Sequence, residues 1–168
     1  MVASLCCFAF GAGSCSDPPA IALQTRCASG ASFSHSADPS VAAIHLGTTS
    51  STGSFAELKA NDALTKVFGS QGGTHVWGSA LLYAPTSENW LLTFRLSDTD
   101  GNVIASTDQQ VTSCAGGVVV LTGVRVVYGY SPVPTDAGAQ LSDELSVVAT
   151  TYPDRSVVVQ DRVPVQVP

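Results

Sequence analysis

Along residues 89–97, NWLLTFRLS, side chains alternate in character: Trp90, Leu92, Phe94 and Leu96 share one side, and Thr93, Arg95 and Ser97 the other. A two-residue repeat is the geometry of a pleated strand with one buried face, whereas a helix repeats every 3.6 residues. Similar stretches recur at 41–47 (VAAIHLG), 74–84 (THVWGSALLYA), 103–111 (VIASTDQQV), 117–130 (GVVVLTGVRVVYGY), 144–152 (ELSVVATTY) and 155–167 (RSVVVQDRVPVQV). Two shorter pieces, FAEL and LTKVFG, flank the turn signal Asn61-Asp62. DTDGN at 98–102 predicts a hairpin turn. No segment holds a helical period over three turns, and SFAELKAND is the one short helix candidate.

Seven to nine strands with turns about every ten residues predict an all-β fold, an antiparallel immunoglobulin-like or fibronectin-like β-sandwich, with a jelly roll as the rival. In 74–84, Val76, Ala80 and Leu82 fall on one face and His75, Trp77, Leu81 and Tyr83 on the other. The 117–130 stretch is apolar on both faces, which suits a central strand. In the last strand Val157, Val159, Val163, Val165 and Val167 share a face that Asp161 interrupts. Pro164 has no N–H and belongs at an edge or a bulge.

The chain of 168 residues is 45% hydrophobic and only 12% charged, with net charge −6. That composition suits one domain with a proper core and excludes a solvated disordered chain. The seven basic residues stand singly, so neither nucleic-acid binding nor polybasic lipid attraction is expected.

The opening MVASLCCFAFGAGSCSDPP is an apolar run that ends in small residues before Cys15 and then turns polar. It resembles a bacterial lipoprotein signal, with Ala12-Gly13-Ser14-Cys15 in the place of the lipobox and Cys15 as the lipidation site. A branched apolar residue three places before the cysteine and a charged leading region are both missing, which predicts a start upstream of Met1. A simple secretory segment and an ordinary first strand are the alternatives. The implied layout is a signal over 1–15, a Ser/Ala/Pro-rich tether over 16–40 and a β-sandwich over 41–168. The implied location is the bacterial cell envelope, outer membrane or periplasm, with contact to membrane only through the lipid. Secretion is the runner-up.

Cys6 and Cys7 lie within that signal, and Cys27 and Cys114 remain as a pair for one disulfide. Neither has a Cys or His two to four residues away, as a zinc site would.

The segment GSQGGTHVWG, 69–78, mixes turn formers with Gln71, His75 and Trp77. It resembles the G-x-Q-G-G-x-H-x-W segment of a family of predicted bacterial lipoproteins, and the likeness extends loosely from Val41 to the C-terminus. The resemblance implies a β-sandwich and no activity. Read physically, the glycines open a strand, and His75 and Trp77 share a face two residues apart. The structural expectation is that Trp77 packs under the opposite sheet. The functional one is a ligand pocket lined by Gln71, His75 and Trp77.

Other chemistry finds less support. His35, His45 and His75 sit in separate segments, so a copper or zinc site built on His75 with the others is the alternative function. DTDGN places Gly101 fourth and Gln109 twelfth where a calcium loop needs Gly sixth and Glu twelfth. A looser calcium site would draw on Asp98 and Asp100 with Asp136 or Asp154. No G-x-S-x-G elbow, paired carboxylate or phosphate-cradling loop is present, so no enzymatic activity and no cofactor are expected. What remains is an exported binding or structural module whose partner is a protein or small molecule of the envelope.

Overall fold

The structure, a computed structural model, describes residues 23–28, 40–68, 73–115, 117–128 and 142–167. Seven long strands carry the fold: β2 (Ala43–Thr49), β6 (Thr74–Ala84), β7 (Asn89–Ser97), β8 (Val103–Thr112), β9 (Gly117–Tyr128), β10 (Ser142–Thr151) and β11 (Val158–Gln166). Four short ones complete it: β1 (Gln24–Ala28), β3 (Phe55–Glu57), β4 (Asp62–Ala63) and β5 (Val67–Phe68). The short strands explain why eleven are found among the described residues where seven to nine were expected. The helix candidate at 54–62 is instead β3, a turn through Asn61 with positive φ, and β4.

One layer runs β3-β2-β6-β9, with β1 beside β9 and β5 beside β6; the other runs β8-β7-β10-β11-β4. A single bridge, Ala105 to Tyr128, joins them at one corner. All described pairings are antiparallel except β4 with β11. Among the long strands the chain changes layer between β6 and β7, between β8 and β9, and again between β9 and β10, while short β4 makes a brief excursion from the first layer to the edge of the second. This is the three-on-four sandwich of immunoglobulin-like and fibronectin-like domains.

Alternation explains the core. Trp90, Leu92, Phe94 and Leu96 of β7, all 0–1% exposed, meet Val76, Ala80 and Leu82 of β6 and Leu145, Val147 and Ala149 of β10. The buried tryptophan is therefore Trp90, on the first long strand of the second layer, as in many immunoglobulin-like domains. Trp77 faces outward and is half-buried, which corrects the expectation that it packs under the opposite sheet. The two faces of β6 were rightly separated, but core volume goes to the side carrying the small and aliphatic residues.

The two-sided apolarity of β9 has a geometric cause. Val119 and Leu121 face the core, and so do Val124 and Val126, so the inward parity switches between them. Register shifts there, from Gly78↔Val124 to Ala80↔Leu121, with Gly123 at φ 77° as the extra residue. A bulge glycine with positive φ absorbs the residue at no Cβ cost. Its N–H donates to Thr49 Oγ1 (2.8 Å), which also lies 2.6 Å from Ser79 Oγ, so the interrupted ladder stays satisfied.

Asp161 breaks the valine face of β11 without any register shift, by a hydrogen bond across the layers. Its Oδ2 accepts the Leu46 N–H at 2.7 Å, tying the edge of β2 to the opposite layer. Pro164 pairs with Glu144, and its carbonyl accepts the Asn61 N–H at 2.8 Å where β4 begins.

At Gly47, a Cβ would lie 2.3 Å from Phe55 Cε2 and 2.5 Å from the Ala56 carbonyl oxygen. Backbone cannot step aside as a side-chain tip does. Gly47→Ala is expected to destabilise the domain by about 1–3 kcal/mol, read as a lower urea midpoint at unchanged slope.

Candidate functional site

The site singled out in the sequence begins on the outer face of β6. Gln71 lies outside the described residues. His75 and Trp77 project together from β6, and their rings meet edge to face at 4.7 Å, 87° between planes. Opposite Trp77 in the antiparallel register stands Arg125 of β9, its guanidinium carbon 5.4 Å from the indole centroid. Sequence reasoning missed Arg125. It lies 48 positions along the chain from Trp77 (125 − 77), and only the strand register and the Gly123 bulge bring it out to that face.

The three side chains differ in exposure. Arg125 is exposed, Trp77 is half-buried, and His75 is 8% exposed with no hydrogen-bond partner for Nε2. Burial first, and then the positive charge of Arg125, hold the His75 pKa below the usual histidine value. The imidazole is thus neutral at pH 7, and Arg125 is the charged member. Thr48 Oγ1 donates to the Trp77 carbonyl and Thr107 Oγ1 to that of Arg125, each at 2.8 Å, so both backbones are held from neighbouring strands. The arrangement is a guanidinium over an indole that an imidazole meets edge to face, all on the outer face of the sheet. It can offer an aromatic surface and one cation to a partner.

The lowered His75 pKa sets the sign of a pH effect. Between the depressed native pKa and the ordinary value of about 6.5, the unfolded chain binds the proton and the folded one does not, so stability falls as pH falls. Thermal melting is expected to drop from pH 7 toward pH 5.5, with His75→Gln flattening that limb. Asp143, buried beside Asp98 and raised by desolvation first, works oppositely at lower pH: its contribution grows as pH falls.

The remaining candidates are kept apart by register. His45 stands opposite Leu81, six residues along β6 from His75, about 20 Å in strand rise. These two histidines cannot share a metal ion, and His35 lies outside the described residues. No group of three His, Cys, Asp or Glu suited to a metal occurs among the described residues.

Of the two carboxylates in DTDGN, that of Asp98 is occupied by the turn itself. Asp98 accepts the N–H groups of Asp100 (3.0 Å) and Asn102 (2.8 Å) and the side-chain amide of Asn102 (3.0 Å). Those bonds hold its pKa below the ordinary value. Asp154 belongs to the turn between β10 and β11, at the other end of the sandwich, and Asp136 lies outside the described residues.

Cys27 and Cys114 are bonded, Cα to Cα 6.1 Å, joining β1 to the residue following Ser113 at the end of β8. Disulfides persist in oxidising compartments, which places the folded domain in an extracellular or periplasmic environment. Cys15 lies outside the described residues, and no helix among those described is long and apolar enough to cross a membrane. Residues 24–28, within the stretch read as tether, are paired into the sheet as β1. A second surface feature, not foreseen, is a shallow cleft of about 230 Å³ lined by Asn89, Gln110, Val111, Thr112 and Tyr152.

No protein-family model matches the chain, and no curated protein matches it. Solved structures are similar at the level of shape. A glycosyl hydrolase family 2 member from Bacteroides cellulosilyticus DSM 14838 aligns over 61% of this chain and 14% of its own, at 15% identity and TM-score 0.39. A calcium binding mutant of Bacteroides uniformis beta-glucuronidase 2 aligns over 71% of this chain and 12% of its own, at 11% identity and TM-score 0.39. The N-terminal domain of PorA aligns over 74% of this chain and 96% of its own, at 10% identity and TM-score 0.33. The chain thus spans only a small part of the length of the two hydrolases.

Proposed function

We propose that this chain is an exported, lipid-anchored protein of the bacterial cell envelope, and that its sandwich is a non-enzymatic binding module. On this reading Cys15 carries the lipid, and the outer face of β6 and β9 around Trp77 meets a protein partner. The likeness of the 69–78 segment to predicted bacterial lipoproteins supports the same assignment.

The observation that carries the reading is the outward placement of Trp77 with Arg125 stacked on it. A half-exposed indole whose rotamer is already held costs little entropy to bind, and Trp and Arg dominate the energetic centres of protein interfaces. The Cys27–Cys114 bridge supports export. Copper or zinc binding through His75 is the weaker reading, because register removes His45 from its reach.

Two measurements test the proposal. Mass spectrometry of the protein isolated from its host should show a lipid-modified N-terminal Cys15; an unmodified, uncleaved N-terminus ends the anchoring claim. A photoactivatable side chain at position 127, exposed beside His75 on β9, should yield one discrete cross-linked protein in the envelope. That product should vanish with Trp77→Ala or Arg125→Ala at a temperature where circular dichroism shows both variants still folded. A cross-linking pattern indifferent to both substitutions sinks the contact surface.

A further inference from the structure

The outermost strand of the first layer is held in an unusual way. β1 pairs with β9 across five registers, Gln24↔Thr122 to Ala28↔Val118. Yet Gln24, Thr25, Arg26 and Cys27 are all exposed, Ala28 is only half-buried, and neighbouring Leu23 is 51% exposed. Little apolar burial fastens this strand. What holds it is a main-chain ladder and the covalent bond from Cys27 to Cys114.

Its acceptor is the opposite. Val118, Val119, Val120, Leu121 and Thr122 are 1–5% exposed on both faces of β9. Without β1, this β-branched stretch would present a row of unpaired N–H and C=O groups at a sheet edge, a ready template for another strand. The far half of β9 is protected differently, by the bridge from Ala105 to Tyr128 and the bond from Thr107 to the Arg125 carbonyl. The open acceptor is therefore confined to residues 118–122.

We propose that this edge is a strand-acceptor site, and that its occupant in the reduced protein is β1 of a second copy of the chain. Fourteen residues, 29–42, separate β1 from β2, a contour of up to about 50 Å. That exceeds the roughly 15 Å radius of gyration expected of a domain this size. A second copy offers the same five registers and the same cysteine, so exchange restores every bond that opening breaks. The disulfide decides the outcome. Reduction by a dithiol breaks the S–S bond, yields two thiols and oxidises the reductant to its own disulfide. Reoxidation by glutathione disulfide removes two electrons and two protons per bridge, and closes Cys27 of one chain onto Cys114 of the other.

The test uses full chains carrying Cys6→Ser, Cys7→Ser and Cys15→Ser, so that only two thiols remain. One variant adds Cys27→Ser and the other adds Cys114→Ser; neither can close its own bridge. Mixed and oxidised with glutathione disulfide, they should give a covalent heterodimer in excess of the share that random thiol pairing gives. Its melting temperature should return to within a few degrees of the oxidised parent. Monomers alone, or homodimers in random proportion, overturn the proposal. As a check independent of variant folding, the parent with both cysteines is reduced and reoxidised at rising concentration. A growing fraction should become a disulfide-linked dimer by non-reducing electrophoresis; a fraction indifferent to concentration also overturns it. Dimers joined through β9 edges would persist with residues 1–28 deleted, and that result counts against β1 as the occupant.

Discussion

Trp90→Ala is expected to cost about 3–5 kcal/mol, while Trp77→Ala should cost about 1 kcal/mol, the scale of one exposed cation–π contact. Both are tryptophans on long strands of the same sandwich, so the contrast isolates burial. Trp90 is 1% exposed and sits between layers with Leu92, Phe94 and Leu96. Truncation there loses the transfer free energy of the ring and leaves a cavity between sheets that cannot collapse independently. Trp77 leaves no void, because its ring lies over the sheet surface against Arg125 and His75. Urea unfolding at pH 7 measures both values. Equal losses would falsify the assignment of Trp90 as the core tryptophan. Trp90 Nε1 is buried without a hydrogen-bond partner, so Trp90→Phe should cost less than its lost volume suggests.

The second large effect concerns the single covalent crosslink. Cys27 and Cys114 are separated by 87 positions, and closing such a loop in the unfolded chain is worth about 4 kcal/mol in the chain-entropy model. Against a total stability of about 5–15 kcal/mol, that is a large fraction. Cys27→Ser and Cys114→Ser should each lose a similar amount, and the double change should add little, since each single change already removes the whole bond. Equilibrium unfolding at low protein concentration is the measurement; additive losses would mean the two sulfurs act separately. The same substitutions free β1, so repeating the unfolding at rising protein concentration reports strand exchange as a concentration-dependent midpoint.

These two effects rest on different kinds of information. The core of β7 was legible because alternation is local: nine consecutive residues state which side chains share a face. The strand bounds at 74–84 and 89–97 follow from the same pattern and match the fold. The cysteine pairing was also legible, by elimination among five cysteines. What the pattern could not state was which face of β6 turns inward. Val76, Ala80 and Leu82 on one side competed with Trp77, Leu81 and Tyr83 on the other, and both sets are apolar enough to fill a core.

The candidate site shows where local reading ends. His75 and Trp77 were placed on one face by spacing alone, and they do touch. Arg125 came from a stretch read as apolar on both faces, and was counted only among the seven basic residues that stand singly. One glycine with positive φ shifts the parity of β9, turns Val124 and Val126 inward and sends Arg125 out to meet the indole. Asp161 is a parallel case, since its partner, the Leu46 N–H, is 115 residues away.

Sequence by itself determined the two-residue period, hence the strands and their paired faces, the lack of a helix-forming pattern and the pair of cysteines left to join. Tertiary structure alone decided which faces meet in the core, where the bulge falls, and that β1 closes an edge which valines would otherwise leave open. The physical reason is range: pleat and turn are set by neighbours in the chain, whereas burial and register are set by residues that meet only once both layers are assembled.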